Sequence, residues 1–284
     1  MSSPTAGDGG TSPWSWDASL YAGSAEYYAT GRIAYPTELA DVLVAEVPLD
    51  GSGRLLDVGC GPGSLTLLLA PHVAEAIGVD ADADMLTVAA RRAAQQQIAN
   101  VTWRHLRAED LPDDLPPVQF VTFAQSFHWM DRPRVAATVR ALVTPGGVLI
   151  HVHATTHEGV ETQLELPHPG PPRAAVADLV RRYLGDETRA GQGLRPTGNL
   201  GGEEEIYRAA GWTAPQRLEV AGRVVERTVD QVAASVHSLS WSAPHLFGDR
   251  WPAFDAELRH MLAEASPDGR FSEQMRSIAI DIWR

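Results

Sequence analysis

Between residues 50 and 153, short apolar runs alternate with amphipathic stretches. Leu55 to Val58, Ala76 to Asp80, Val101 to Leu106, Val118 to Ala124 and Val148 to Val152 read as five strands. Val118 to Ala124 is almost wholly apolar, as for a strand covered on both faces. Leu65 to Ala70, Asp84 to Gln97 and Pro133 to Leu142 read as helices between them. Met85, Val88 and Ala89 form the apolar side of the second, Pro71 stops the first, and Pro145-Gly146-Gly147 marks a turn. A β-α repeat of this kind predicts an α/β fold with a Rossmann-like, doubly wound parallel sheet.

The flanks are patterned differently. Asp17 is placed to cap a short helix carrying Leu20, Tyr21, Tyr27 and Tyr28. Pro36 opens a second, with Leu39, Val42, Leu43 and Val47 as its stripe and Pro48 as its stop. After residue 153 the β-α pattern breaks. A stiff Pro167–Pro172 linker precedes a helix over 174–184 and a glycine-rich loop over 185–202. This segment is expected to form a helical cap over the open end of the sheet. A helix over 203–210 with Gly211 as stop, a strand over 216–226, helices over 229–239 and 249–265, and a last strand over 277–283 complete the chain. The expected organisation is a disordered lead-in (1–13), a helical lid (14–48), a core (49–153), the cap insertion (154–202) and a completing segment with substrate-side helices (203–284).

Charge and composition narrow the chemistry. A net charge of −13 over 284 residues argues against a nucleic-acid partner. All 23 basic residues are arginine, so a lysine Schiff base, a lysine base and a P-loop lysine are excluded. Cys60 is the sole cysteine, which excludes an intrachain disulfide and a Cys-rich zinc site. No apolar run approaches membrane-span length and no signal-like apolar region follows the first residues, so a cytoplasmic protein without a membrane partner is expected, as monomer or homodimer. His151 and His153 share a strand face near His157, but no third ligand is placed beside them, and no metal is expected.

The densest chemical signal is Leu55-Leu-Asp-Val-Gly-Cys-Gly-Pro-Gly-Ser64, a strand running into a glycine turn and then a helix. A dinucleotide site asks for G-x-G-x-x-G; here Gly59 and Gly61 fit, but Ser64 takes the third position and the glycine falls one early, at Gly63. A G-x-G-x-G turn led by Asp57 suits a zwitterionic ligand, with carbonyls and a carboxylate for an ammonium group and helix N-terminal amides for a carboxylate. Asp80 ends the next strand, 21 residues after Gly59, where an acid accepts hydrogen bonds from a ribose diol.

On these residues, with Gly78-Val-Asp80, Met85-Leu86 and Pro145-Gly-Gly147, the chain resembles the class I S-adenosyl-L-methionine (SAM)-dependent methyltransferases. Tyr28-x3-Arg32-x2-Tyr35-Pro36, Gln125-Ser-Phe-His128-Trp129 and the terminal Asp281-Ile-Trp-Arg284 resemble the small-molecule group that includes the trans-aconitate and type-11 methyltransferases. The resemblance implies a seven-stranded, mostly parallel sheet with an antiparallel last strand, SAM as cofactor and S-adenosyl-L-homocysteine as product. It implies Asp57, Gly59, Cys60, Gly61, Gly63, Asp80, Ala81, Met85, Ala108, Glu109 and Gln125 as cofactor-binding residues, with Met85 against adenine and Ala108 and Glu109 at its edge. Relatives often carry an acid before that alanine; this chain has Arg107.

The expected activity is methyl transfer to a small-molecule acceptor by in-line displacement, with a tailoring role in specialised metabolism. A SAM-binding protein without turnover and an NAD-dependent oxidoreductase are the alternatives. His128 follows the fourth strand and is the candidate catalytic base; the alternative is that it only shapes the pocket. Tyr21, Tyr27, Tyr35, Trp129 and Trp241 are the candidate substrate-side residues, where an aromatic face would also attract a sulfonium. His245 and Arg250 lie near the last of these.

Overall fold

The structure, a computed structural model, describes residues 17, 19–112, 114–186, 189–190, 193–194 and 202–284. The expected lead-in over 1–13 and most of the glycine-rich loop over 185–202 lie outside the described residues.

In chain order, α1 (Ala25–Gly31) and α2 (Thr37–Glu46) precede β1 (Arg54–Val58), α3 (Ser64–Leu69), β2 (Glu75–Asp80), α4 (Ala83–Gln95), β3 (Val101–His105) and β4 (Val118–Ala124). Then follow α5 (Arg132–Leu142), β5 (Val143–His153), α6 (Arg173–Leu184), the two-residue strands β6 (Arg189–Ala190) and β7 (Gly193–Leu194), and α7 (Glu203–Ala209). The last elements are β8 (Gln216–Val220), β9 (Val224–Thr228), α8 (Val229–His237), α9 (Trp251–Ala265), β10 (Arg270–Gln274) and β11 (Ile278–Trp283).

Seven strands form one sheet in the order β3-β2-β1-β4-β5-β11-β8. Strands β1 to β5 are parallel, and β11 runs antiparallel to both neighbours, β5 and β8. The Rossmann-like sheet with an antiparallel last strand is therefore present. Its order reverses between β1 and β4, which opens a crevice beyond their carboxyl ends. Buried Leu56, Val58, Val121, Phe123 and Leu149 face α5 and α7; Leu55, Phe120, Val148 and Ile150 face α2 and α3. A separate cluster joins α6, α8 and α9 through Val180, Val236, Phe254 and Leu258.

Several boundaries differ from expectation. Asp17 caps no helix; its carboxylate accepts from Ser19 N–H at 2.9 Å in a turn, and α1 begins only at Ala25. The expected strand over 216–226 is two strands in different sheets. They part at Gly222, where an added Cβ would lie 2.1 Å from the Met275 carbonyl oxygen. The second half, β9, pairs antiparallel with β10, a strand whose mixed polar sequence gave no periodic signal. Pro145-Gly146-Gly147 does not end an element but sits inside β5 as an irregularity. Val143 pairs with Val118 and Val148 already with Phe120, so the extra residues bulge out.

Candidate functional site

Strand β1 is buried along Leu55 to Val58 and delivers Asp57 to the crevice. Both carboxylate oxygens of Asp57 are occupied: Thr66 Oγ1 donates at 2.5 Å and Thr122 Oγ1 at 2.8 Å. Asp57 thereby ties β1 to α3 and β4, and burial pushes its carboxyl above the usual range despite those bonds.

The glycines of the turn serve different needs. A Cβ at Gly59 would meet Ser126 Cβ at 2.5 Å, so this position lets β1 and the end of β4 close together. Gly61 has φ +53°, and nothing stands within 4 Å of the place a Cβ would take; its bare backbone faces open cavity. Gly63 is the left-handed N-cap of α3, and a Cβ there would strike the Trp103 ring at 2.6 Å.

Asp80 ends β2. Its Oδ2 accepts from Gly61 N–H at 2.7 Å and its Oδ1 from Asp82 N–H at 2.9 Å. Burial pushes its carboxyl up to about 6, against the pull of those two donors. Asp82 caps α4 by accepting from Asp84 and Met85 N–H. The cap orients Met85, which is buried in a cluster with Ala25 and Val88 against which Tyr21 and Tyr28 pack.

These groups share one cavity of about 1020 Å³, counting its open mouth. Asp57, Gly59, Cys60, Gly61, Asp80, Ala81, Met85, Ala108, Glu109 and Gln125 line it, as do Tyr21, Tyr35 and Trp129. Gly63 does not line it, because it faces Trp103. Gln125 is a non-glycine residue at φ +59°, where β4 turns so that Ser126 Oγ can donate to the Val58 carbonyl at 2.6 Å. Glu109 lines the wall, yet its carboxylate accepts from Asp131 N–H at 2.8 Å at the start of α5.

Tyr27 and Trp241 are not brought to the cavity. Tyr27 packs edge-on against His237 and Trp251, and Trp241 packs on the α6/α8/α9 cluster. His128 also stands off the lining, on a short 3₁₀ turn, with its ring 4.8 Å from that of Trp129. Burial, with Arg132 adding to it, pushes its imidazole down to about 4. His151 and His153 stack at 4.2 Å but are engaged elsewhere, on Tyr207 and Asp281 respectively. Among the described residues no cluster could hold a metal ion.

The wall opposite the glycine turn comes from residues 21–35, and of the described residues in 154–202 only Thr156 takes part. Tyr28, Arg32 and Ile33 belong to it as well. The Tyr-x3-Arg-x2-Tyr spacing carried that signal for Tyr28 and Arg32; nothing in the sequence marks Thr156. Arg32 lies over the Tyr28 ring at 4.5 Å. Its hydrogen-bond partners are neutral: Ser238 Oγ at 2.8 Å, the Ser238 carbonyl at 3.0 Å and His157 Nδ1 at 3.2 Å. A guanidinium so placed can pair with a carboxylate inside the cavity.

Residues 55–147 match the family model of a methyltransferase domain. An uncharacterized methyltransferase of Mycobacterium tuberculosis is 36% identical over 143 residues, covering 50% of this chain and 55% of that protein. A protein named trans-aconitate 2-methyltransferase from Azoarcus sp. is 32% identical over 146 residues, covering 50% and 54%. The chain thus spans about half the length of the curated relatives it matches. Among solved structures, a proposed type II methyltransferase from Anaeromyxobacter dehalogenans superposes with a TM-score of 0.50 at 25% identity, covering 88% of this chain and 95% of that one.

Proposed function

We propose that this chain, whose residues 55–147 match a methyltransferase-domain family model, is a class I SAM-dependent methyltransferase that moves a methyl group from SAM to a small-molecule acceptor by in-line displacement. The observation that carries this reading is the single cavity in which Gly59, Gly61, Asp80 and Met85 meet an aromatic wall. The residues fit the cofactor. Gly61 leaves open space beside its backbone, Asp80 offers carboxylate oxygens at a strand end, and Met85 is a buried apolar surface between two helices.

When bound, SAM supplies a methyl group that is already activated, so the protein mainly has to orient two reactants and exclude water. In our reading the Gly59–Gly61 backbone takes the amino-acid end, Asp80 the ribose, and Met85 with Ala108 the adenine. Ala81, Cys60 and Gln125 complete that wall. Arg32 takes a carboxylate, from the amino-acid end or from the acceptor. The Azoarcus relative's name supports testing small carboxylic acids as acceptors. Tyr21, Tyr35 and Trp129 form the acceptor's aromatic surroundings.

His128 does not itself line the cavity, so we assign it as the base for an acceptor that reaches past Trp129 to it and must lose a proton. Its burial makes it neutral at pH 7 but weakly basic, which suits an acceptor whose proton is already acidic. A carboxylate acceptor needs no base at all. Transfer of labelled methyl from SAM across a panel of small carboxylic acids, phenols and acidic carbon compounds tests the reading. Binding of S-adenosyl-L-homocysteine without transfer to any of them removes the enzymatic part. The described helices include none long and apolar enough to cross a membrane.

A further inference from the structure

Arg227 is charged, yet only 4% exposed, and Glu273 beside it only 6%. Arg227 Nη1 donates to Glu273 Oε2 at 3.0 Å and to the His157 carbonyl at 3.0 Å. Its Nη2 donates to the Gly31 and Gln231 carbonyls. Glu273 Oε1 in turn accepts from Gly159 N–H at 2.9 Å and from Arg173 Nη2 at 2.6 Å. One ion pair therefore holds five stretches of chain far apart in sequence: the end of α1, residues 157–159, the start of α6, the β9–α8 junction and β10.

A buried ion pair is a weak source of stability, since desolvation of both charges offsets their attraction. Its geometry matters more here. Gly31 immediately precedes Arg32, and His157 is the residue whose Nδ1 accepts from Arg32 Nη1. The Ile33 N–H donates to the Thr156 carbonyl at 2.8 Å, one residue further on. Arg227 thus grips the backbone on both sides of the contact that aims Arg32. The planar guanidinium suits this role because its nitrogens diverge toward several carbonyls at once. Burial disfavours the charge on Glu273, but the Arg173 and Arg227 guanidiniums and the Gly159 N–H hold its carboxyl below the usual range.

We propose that Arg227 and Glu273 are positioning residues that fix Arg32 on the wall of the cofactor cavity. The proposal rests on the SAM-binding reading of that cavity, with Arg32 taking the carboxylate of the cofactor's amino-acid end. The clasp touches neither cofactor nor acceptor and acts through Arg32 alone.

A double-mutant cycle tests it, read by calorimetric titration with S-adenosyl-L-homocysteine. Removing one partner leaves a buried charge and endangers the fold, so the clasp is removed as the pair Arg227→Met with Glu273→Leu. The Arg227→Lys variant is the second probe: it keeps the charge and loses the fork. In the otherwise wild-type chain the paired change weakens binding roughly tenfold or more, as for loss of an oriented charge-assisted contact. In an Arg32→Ala background the same change has no further effect, whatever it does to the thermal midpoint. Arg227→Lys weakens binding in the wild-type background and not in the Arg32→Ala one. Equal losses in both backgrounds, or unchanged binding in all of these variants, overturn the positioning role while leaving the cavity assignment intact. Failure of the wild-type chain to bind overturns the cavity assignment itself, and the clasp's role with it.

Discussion

The Gly61 backbone N–H donates to Asp80 Oδ2 at 2.7 Å, so the glycine turn after β1 is tied directly to the acid that ends β2. A ribose diol approaching that carboxylate meets oxygens already oriented by the turn, each with acceptor capacity left. The carboxyl itself is pushed up to about 6 by burial. A ligand that needs the carboxylate therefore binds fully above pH 6 and loses up to about tenfold per pH unit below it. Titration with S-adenosyl-L-homocysteine between pH 5 and 8 checks this. A flat wild-type profile excludes Asp80 from binding, and Asp80→Asn should give weak, pH-independent affinity.

The same shift has a consequence for stability. The folded chain holds the Asp80 proton more tightly than the unfolded chain, so this group's contribution falls as pH rises from about 4 to about 6. Above pH 6 the buried charge is a standing cost. Asp80→Asn is expected to be at least as stable as the wild type in denaturant unfolding at pH 7.5. A clear destabilisation there would show that the Gly61 and Asp82 donors outweigh burial.

Gly31 and Ser235 approach so closely that a Cβ on Gly31 would lie 2.2 Å from the Ser235 amide nitrogen. The contact fuses α1 to α8, and the neighbour is backbone that cannot rotate aside. Gly31→Ala should cost about 1–3 kcal/mol in denaturant unfolding, as for other overpacked sites. It should also weaken ligand binding, because α1 carries Tyr28 and leads into Arg32. An unfolding midpoint equal to the wild type would show that the two helices are not locked together.

His128 and His151 are both held neutral by burial, near 4 and 3 respectively. The unfolded chain protonates such groups near pH 6.5, so their joint contribution to stability is full above that pH and declines as pH falls toward 4. His128→Gln should flatten part of this acid limb. In turnover, His128→Ala should lower kcat by about 10²-fold or more with an acceptor that must lose a proton. With a carboxylate acceptor it should change little. Unchanged rates with both acceptor kinds would leave His128 a packing residue.

The core was legible because its signals are local. Strand-length apolar runs, Pro71 as a helix stop and the Asp57–Gly63 turn each follow from neighbours in sequence. The antiparallel last strand came through resemblance rather than periodicity. What could not be read depends on distant backbone meeting. Gly222 breaks a strand because Met275 crosses it, and β10 exists because β9 lies beside it. At the site, Asp80 and Met85 announce themselves by spacing, whereas Thr156 lines the cavity beside Ile33, which is distant in sequence and donates to its carbonyl. Tyr27 and Trp241 have the right chemistry, but helix phase turns Tyr27, and packing in the turn after α8 turns Trp241, toward the α8/α9 cluster.

Calorimetric titration of the wild-type chain and of Asp80→Ala with S-adenosyl-L-homocysteine at pH 7.5 tests the cavity assignment most directly. The expected result is one site per chain in the wild type, weakened by roughly 1.5–3 kcal/mol in Asp80→Ala, as for loss of a charged hydrogen-bond acceptor. No binding by the folded wild type, or equal binding by both proteins, contradicts it.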